Sequence, residues 1–168
     1  LLAVSVLMRL IVWDKICTKY LWHRIKAQEL RKAVQPILIL HSFRFAGLSF
    51  LIPGVASAGL NPAWALPAAF GDFTAAILAF TTLLLINSRS FRLFLWIFNI
   101  LGLVDLLLAF VDGPRYSILP FLGADYFIVI LYVPILLLTH MMVFKLLYKH
   151  SRVNHPLLMG KLLKSQGQ

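Results

Sequence analysis

The chain has 168 residues, 61% of them hydrophobic and 13% charged, with a mean hydropathy of +0.87 and a formal net charge of +10. Water-soluble domains average roughly 45–50% apolar and about 25% charged residues. This composition therefore excludes a soluble globular domain and predicts a chain whose main solvent is lipid.

In chain order, Leu1–Trp13 is apolar but short, and reads as the truncated or processed end of an N-terminal span. Segment 14–35 follows. It carries Lys15, Lys19, Arg24, Lys26, Arg31 and Lys32 among Ile16, Tyr20, Leu21, Ile25, Leu30 and Val34. That mixture predicts a basic helix lying on the cytoplasmic membrane surface, serving as a connector or a docking surface. Its one cysteine, Cys17, is the only thiol in the chain, so no internal disulfide or Cys-pair metal site exists.

Four stretches then reach the ~20 apolar residues that a hydrocarbon core of about 30 Å requires. They are Pro36–Ser57, Pro62–Ile86, Phe91–Val111 and Leu119–Phe144, separated by the turns SAGLN and NSRS and by the loop DGPRYSILPFLGAD. Pro36 is expected to open its helix, and Pro134 to kink the last one. The domain plan is thus a partial span at 1–13, a basic interfacial helix at 14–35, a four-span bundle at 36–148 and a basic cytoplasmic tail at 149–168. The fold class is all-α: a polytopic transmembrane bundle of four core spans with an N-terminal fifth.

Thirteen of the 16 Lys and Arg residues fall in alternate connecting segments, and only Arg115 lies in the others. Basic loops stay on the cytoplasmic side, so the N-terminus is expected outside and the C-terminus inside, in a bacterial inner (plasma) membrane. The positive charge is then a topology signal and a surface for anionic lipid headgroups rather than for nucleic acid. Trp13, Trp22 and Trp64 fall near the expected interfaces, as aromatic belts do.

A few ionisable residues sit inside the spans, where such groups face the bundle interior and pair with one another. At about 1.5 Å per residue, His41 and Arg44 lie roughly 7 and 12 Å from the inner boundary. Asp72 falls near the midplane, Asn99 about 12 Å and His140 about 6–8 Å from the inside. Asp105 continues the Asn99–Gly102 face outward. The polar cluster expected in the bundle is therefore Arg44, Asp72, Asn99, Asp105, His41 and His140, with Arg44–Asp72 as its ion pair. Such a cluster suits interhelical glue, a ligand pocket or a proton path. His41 and His140 on different spans also match the spacing of two axial haem b ligands, but large neighbours such as Phe45 and Phe144 argue for no cofactor. Asp112 and Asp125 flank the outer loop with Arg115 and Tyr116, and are expected simply to face water. No HExxH, GxSxG or P-loop pattern occurs, which weighs against an enzyme.

The stretches FRFAGLSFL and NPAWALPAAFGDFTAAILAF resemble a pattern of small uncharacterised bacterial multi-pass membrane proteins, R-x-x-G…A-x-P-A-x-x-G-D. It falls here on Arg44, Gly47, Phe50, Leu51, Pro62, Trp64, Ala65, Pro67, Ala68, Gly71 and Asp72. A fainter resemblance is to DoxX-like four-helix membrane proteins, with Arg-x-x-Gly in one helix and an acid in the next. Here Gly-Asp stands where those carry Glu, and a further N-terminal span precedes.

The functional expectation is a non-catalytic integral membrane protein: an accessory subunit of a membrane complex, with a protein partner or self-association, or a small-molecule binder. The alternatives are a small transporter or proton-coupled carrier working through Arg44 and Asp72, and a haem or quinone redox subunit using His41 and His140.

Overall fold

The computed structural model describes the backbone of residues 2–165 and the side chains of most residues between Val4 and Ser151. Helix α1 (Leu2–Ile16) runs on through a π-helical stretch, Cys17–Trp22, and a final α-turn, His23–Ile25. α2 spans Leu30–Ser42 and tightens into a 3₁₀ helix at Phe43–Leu51. α3 is Pro62–Leu84, α4 is Phe91–Arg115, and α5 is Val133–Ser165, entered through a π-helical stretch at Ile128–Tyr132. Four helical runs are long and apolar enough to cross a membrane: Leu30–Leu51, Pro62–Leu84, Phe91–Arg115 and Gly123–Ser151. The all-α bundle is as the hydropathy requires.

Several boundaries differ from those read in the sequence. The basic segment 14–35 is not one helix. Its first part continues α1 and its last part opens α2, because Glu29 leaves the helical region (φ −59°, ψ 146°). The amphipathic pattern crosses that break, which made two pieces look like one. The break is held from the other end of the chain: Lys149 Nζ donates to the Lys26 carbonyl at 2.5 Å, and Lys145 sits over the Trp22 ring. Pro36 lies inside α2 rather than opening it. α5 continues as helix to Ser165, so the expected tail is helical in its backbone, while its side chains beyond Ser151 lie outside the described residues. Before Pro134 the chain widens into a π turn instead of breaking. That turn accommodates a ring that cannot donate to the preceding turn.

α3 starts cleanly because Asn61 accepts from the Ala63 amide at 2.9 Å, with Pro62 at the first helical position. At this end of the bundle the two connections are pinned together. Ser57 N donates to the Phe121 carbonyl and Ala124 N to the Val55 carbonyl, both at 3.0 Å. Gly123, just before Ala124, has φ at 56°, and a side chain there would also strike the Val55 carbonyl.

The buried side chains form two apolar clusters. One lies toward the basic end and includes Ala33, Val34, Ile37, Leu38, Leu95, Phe98, Val143 and Leu146. The other lies toward the pinned loops and includes Phe50, Trp64, Ala65, Ala68, Ala69, Ile118 and Leu122. Between them sits a belt of buried polar groups.

Candidate functional site

The belt begins with a change of helical winding. Along α2 the buried residues Ala33, Val34, Ile37, Leu38 and His41 follow the α-helical period. From Phe43 the 3₁₀ geometry takes over, and at three residues per turn Arg44, Gly47 and Phe50 fall in one row. Those three are the buried residues of that helix. The row aims a guanidinium, a gap and an aromatic ring at α3.

Arg44 is fully buried, and all three of its guanidinium nitrogens are engaged. Nε donates to Asp72 Oδ1 at 2.8 Å, and Nη2 lies 2.7 Å from the same oxygen. Nη2 also donates to Asp105 Oδ2 at 2.6 Å. Nη1 donates to the Gly102 carbonyl at 3.0 Å and faces His140 Nε2 at 3.4 Å. A buried cation is tolerable only when paired and hydrogen-bonded in this way.

The histidines extend the network. Asn99 Nδ2 donates to the His140 carbonyl, which turns Asn99 Oδ1 toward the His140 ring. His140 Nδ1 must then carry the proton, leaving Nε2 as an acceptor toward Arg44. Thr139 Oγ1 donates to the Ile135 carbonyl at 2.8 Å and so accepts from His41 Nε2, also at 2.8 Å. His41 Nδ1 is a buried acceptor without a partner among the described residues.

Three glycines give the network its room. A Cβ on Gly47 would overlap the Asp72 carboxylate, and one on Gly71 would overlap that of Asp105. A Cβ on Gly102 would lie 2.8 Å from His140 Cε1 and 2.9 Å from Arg44 Nη1. The Gly-Asp dipeptide at 71–72 therefore supplies one carboxylate and admits the other.

All six residues singled out in the sequence come together. Asp105, expected only to extend the polar face outward, binds Arg44 as closely as Asp72 does. Sequence reasoning missed Thr139, which orients His41, and Ser49, whose hydroxyl donates to Asp125 Oδ1 at 2.5 Å. Asp125 corrects the expectation of a water-facing rim carboxylate: it is 1% exposed and its Oδ2 has no partner among the described residues. Asp112 is half-buried, with its carboxylate 4.0 Å from Arg115.

The His41 and His140 rings touch, with centroids 4.3 Å apart and planes at 57°. Phe98 closes against both, at 5.1 and 5.2 Å. Each Nε2 points to its own partner, that of His41 to Thr139 and that of His140 to Arg44. Among the described residues no group of three or more metal-ligating side chains occurs.

On the side of the pinned loops, the network meets a cavity of about 620 Å³. Asp72 and Asp105 stand in its wall, 13% and 20% exposed, while Arg44, Asn99, His41 and His140 do not. Most of the remaining wall is apolar, with Phe50, Trp64, Ala68, Leu106, Ile118 and Val133. Trp64 Nε1 is already spent on the Ala109 carbonyl at 2.9 Å.

No curated protein and no solved structure matches the chain. A family model described as a domain of unknown function, DUF8737, matches residues 1–148. The chain, with its buried Arg44 bridging two carboxylates, belongs to the DUF8737 family.

Proposed function

We propose that this protein is a non-catalytic, membrane-embedded binder of a small amphipathic molecule. The observation that carries this reading is the apolar cavity of about 620 Å³ with Asp72 and Asp105 in its wall. Small-molecule sites are typically clefts of about 300–1,000 Å³, mostly apolar, with a few fixed polar groups. The Arg44 network holds both carboxylates in place before a ligand arrives, which lowers the ordering cost of binding. A proton path or carrier channel is less well supported. Beyond the histidines toward the basic end, the packed cluster around Phe98, Leu38 and Leu95 interrupts any polar route among the described residues. A role as accessory subunit is compatible with ligand binding, and the cavity favours the binder.

The test is native mass spectrometry of protein purified in mild detergent. The expected result is a retained lipophilic adduct, lost in Ala109→Phe, a substitution that fills the cavity from α4. The control is an unchanged elution profile and unfolding temperature for the variant. Identical adducts in both proteins would sink the proposal.

The orientation belongs to the same reading: a bacterial inner membrane with the basic end inside and the pinned loops outside, supported by the one-sided distribution of Lys and Arg. In a Cys17→Ala background, Ser57→Cys should react with an impermeant thiol reagent on intact cells, and Arg89→Cys should not. The reverse pattern refutes the orientation.

A further inference from the structure

We infer that the cavity selects a lipophilic cation: an apolar body carrying a protonated amine. The inference rests on the binding reading above and names the chemistry of its head group.

Arg44 brings one positive charge and faces two carboxylates, Asp72 and Asp105. The charged core of the network therefore carries a formal excess of one negative charge inside an apolar bundle, where unpaired charge is costly. A cationic head completes that balance and an anionic one worsens it.

The placement of donors gives the same answer. A carboxylate or phosphate ligand would need a donor pointing into the cavity. Arg44 does not line the cavity, is fully buried, and has every guanidinium nitrogen committed. The Trp64 indole is committed to Ala109, and the Ser117 hydroxyl, the other side-chain donor in the wall, carries no charge to balance an anion. The network's only groups on the cavity side are the two carboxylates. Arg44 takes Oδ1 of Asp72 and Oδ2 of Asp105; the other two oxygens lie against Gly47 and Gly71 and carry no hydrogen bond among the described residues, and both carboxylates keep part of their surface in the cavity wall. Ionised carboxylates accept hydrogen bonds and donate none, so a head group that donates and is positive fits this wall. An alkylammonium group is charged at neutral pH for the same reason that lysine is.

The experiment uses three probes with the same ten-carbon chain: decylamine, decanol and decanoate. Binding is measured by equilibrium dialysis against nanodiscs of neutral phosphatidylcholine, with and without the full-length protein, so that partition into lipid is subtracted. Decylamine should bind at least tenfold more tightly than decanol, and decanoate most weakly. In Asp105→Asn and in Asp72→Asn the advantage of the amine over the alcohol should disappear, while decanol binding persists. The ranking in the wild-type protein needs no variant, so a misfolded variant does not blunt the test. Equal binding of amine and alcohol, or a preference for decanoate, overturns the cation inference and leaves the binding reading standing. An amine preference that survives in both Asp variants also overturns it. Protein-loaded discs that hold no more of any probe than empty discs overturn both.

Discussion

The two ends of the bundle solve the same packing problem in opposite ways. Toward the basic end, Ala33, Val34, Leu38, Leu95, Phe98, Val143 and Leu146 are essentially inaccessible and close the interior. Toward the pinned loops, Phe50, Trp64 and Ala68 also pack, yet with Leu106 and Ile118 they surround a cavity of about 620 Å³. Helix association in lipid depends on close packing and buried polar contacts, because lipid is as apolar as the side chains it would replace. The wall of such a pocket gives up side-chain contacts at one end that the closed cluster makes at the other. The Arg44 belt lies at the junction. It ties α2, α3 and α4 together where the packing changes, and it turns its carboxylates toward the open side.

The largest expected effect comes from cutting the belt itself. Arg44→Met leaves Asp72 and Asp105 close together without their cation, and should cost about 3–5 kcal/mol in chemical unfolding in detergent. Adding Asp72→Asn and Asp105→Asn to that variant should recover most of the loss, because the penalty lies in the unpaired charges. If Arg44→Met alone is neutral, the belt does not hold the two ends together.

A smaller contrast tests the ends directly. Leu95→Ala, in the closed cluster and 0% exposed, should cost near the lower end of the usual range of about 2–5 kcal/mol, since the unfolded helix still rests in lipid. Leu119→Ala, in the cavity wall and 42% exposed, should stay within about 0.5 kcal/mol. Similar losses at both positions would mean that the loop end is as tightly packed as the basic end.

The smallest effect concerns Cys17, which the basic end buries in its apolar cluster. Burial, and secondarily the nearby Asp14 charge, push its thiol above the usual range. Less thiolate is then present at any given pH, and the thiolate is the reactive form. Alkylation of folded protein at pH 7–8 should be much slower than after denaturation, and should accelerate with rising pH. Equal rates before and after denaturation would show that the packing around Cys17 is open.

How much of this was legible beforehand differs from residue to residue. Hydropathy alone pointed to the four spans and the all-α class, because continuous apolar runs of about 20 residues match helices, which satisfy their backbone polar groups within one segment. Depth along each span brought Arg44 and Asp72 to the same level, and His41, Asn99 and His140 close to it. Charge demanded that they pair, so the six-residue cluster was readable from one dimension. What lay beyond that reading depends on how helices turn about their axes and how closely they approach. The shift to 3₁₀ winding at Phe43 sets which residues join Arg44 in a row, and no composition signals it. Glu29, inside a continuous amphipathic pattern, leaves the helix where Lys149 reaches the Lys26 carbonyl from more than a hundred residues away. Asp105 becomes an equal partner of Arg44 only because Gly71 on the facing helix has no side chain to keep it out. Asp125 is buried where its Oδ1 accepts from Ser49, a residue 76 positions away that its own segment does not reveal. The cavity is the clearest case. It is made of ordinary apolar residues indistinguishable in sequence from those that fill the opposite end, and only their arrangement in three dimensions shapes them into a pocket.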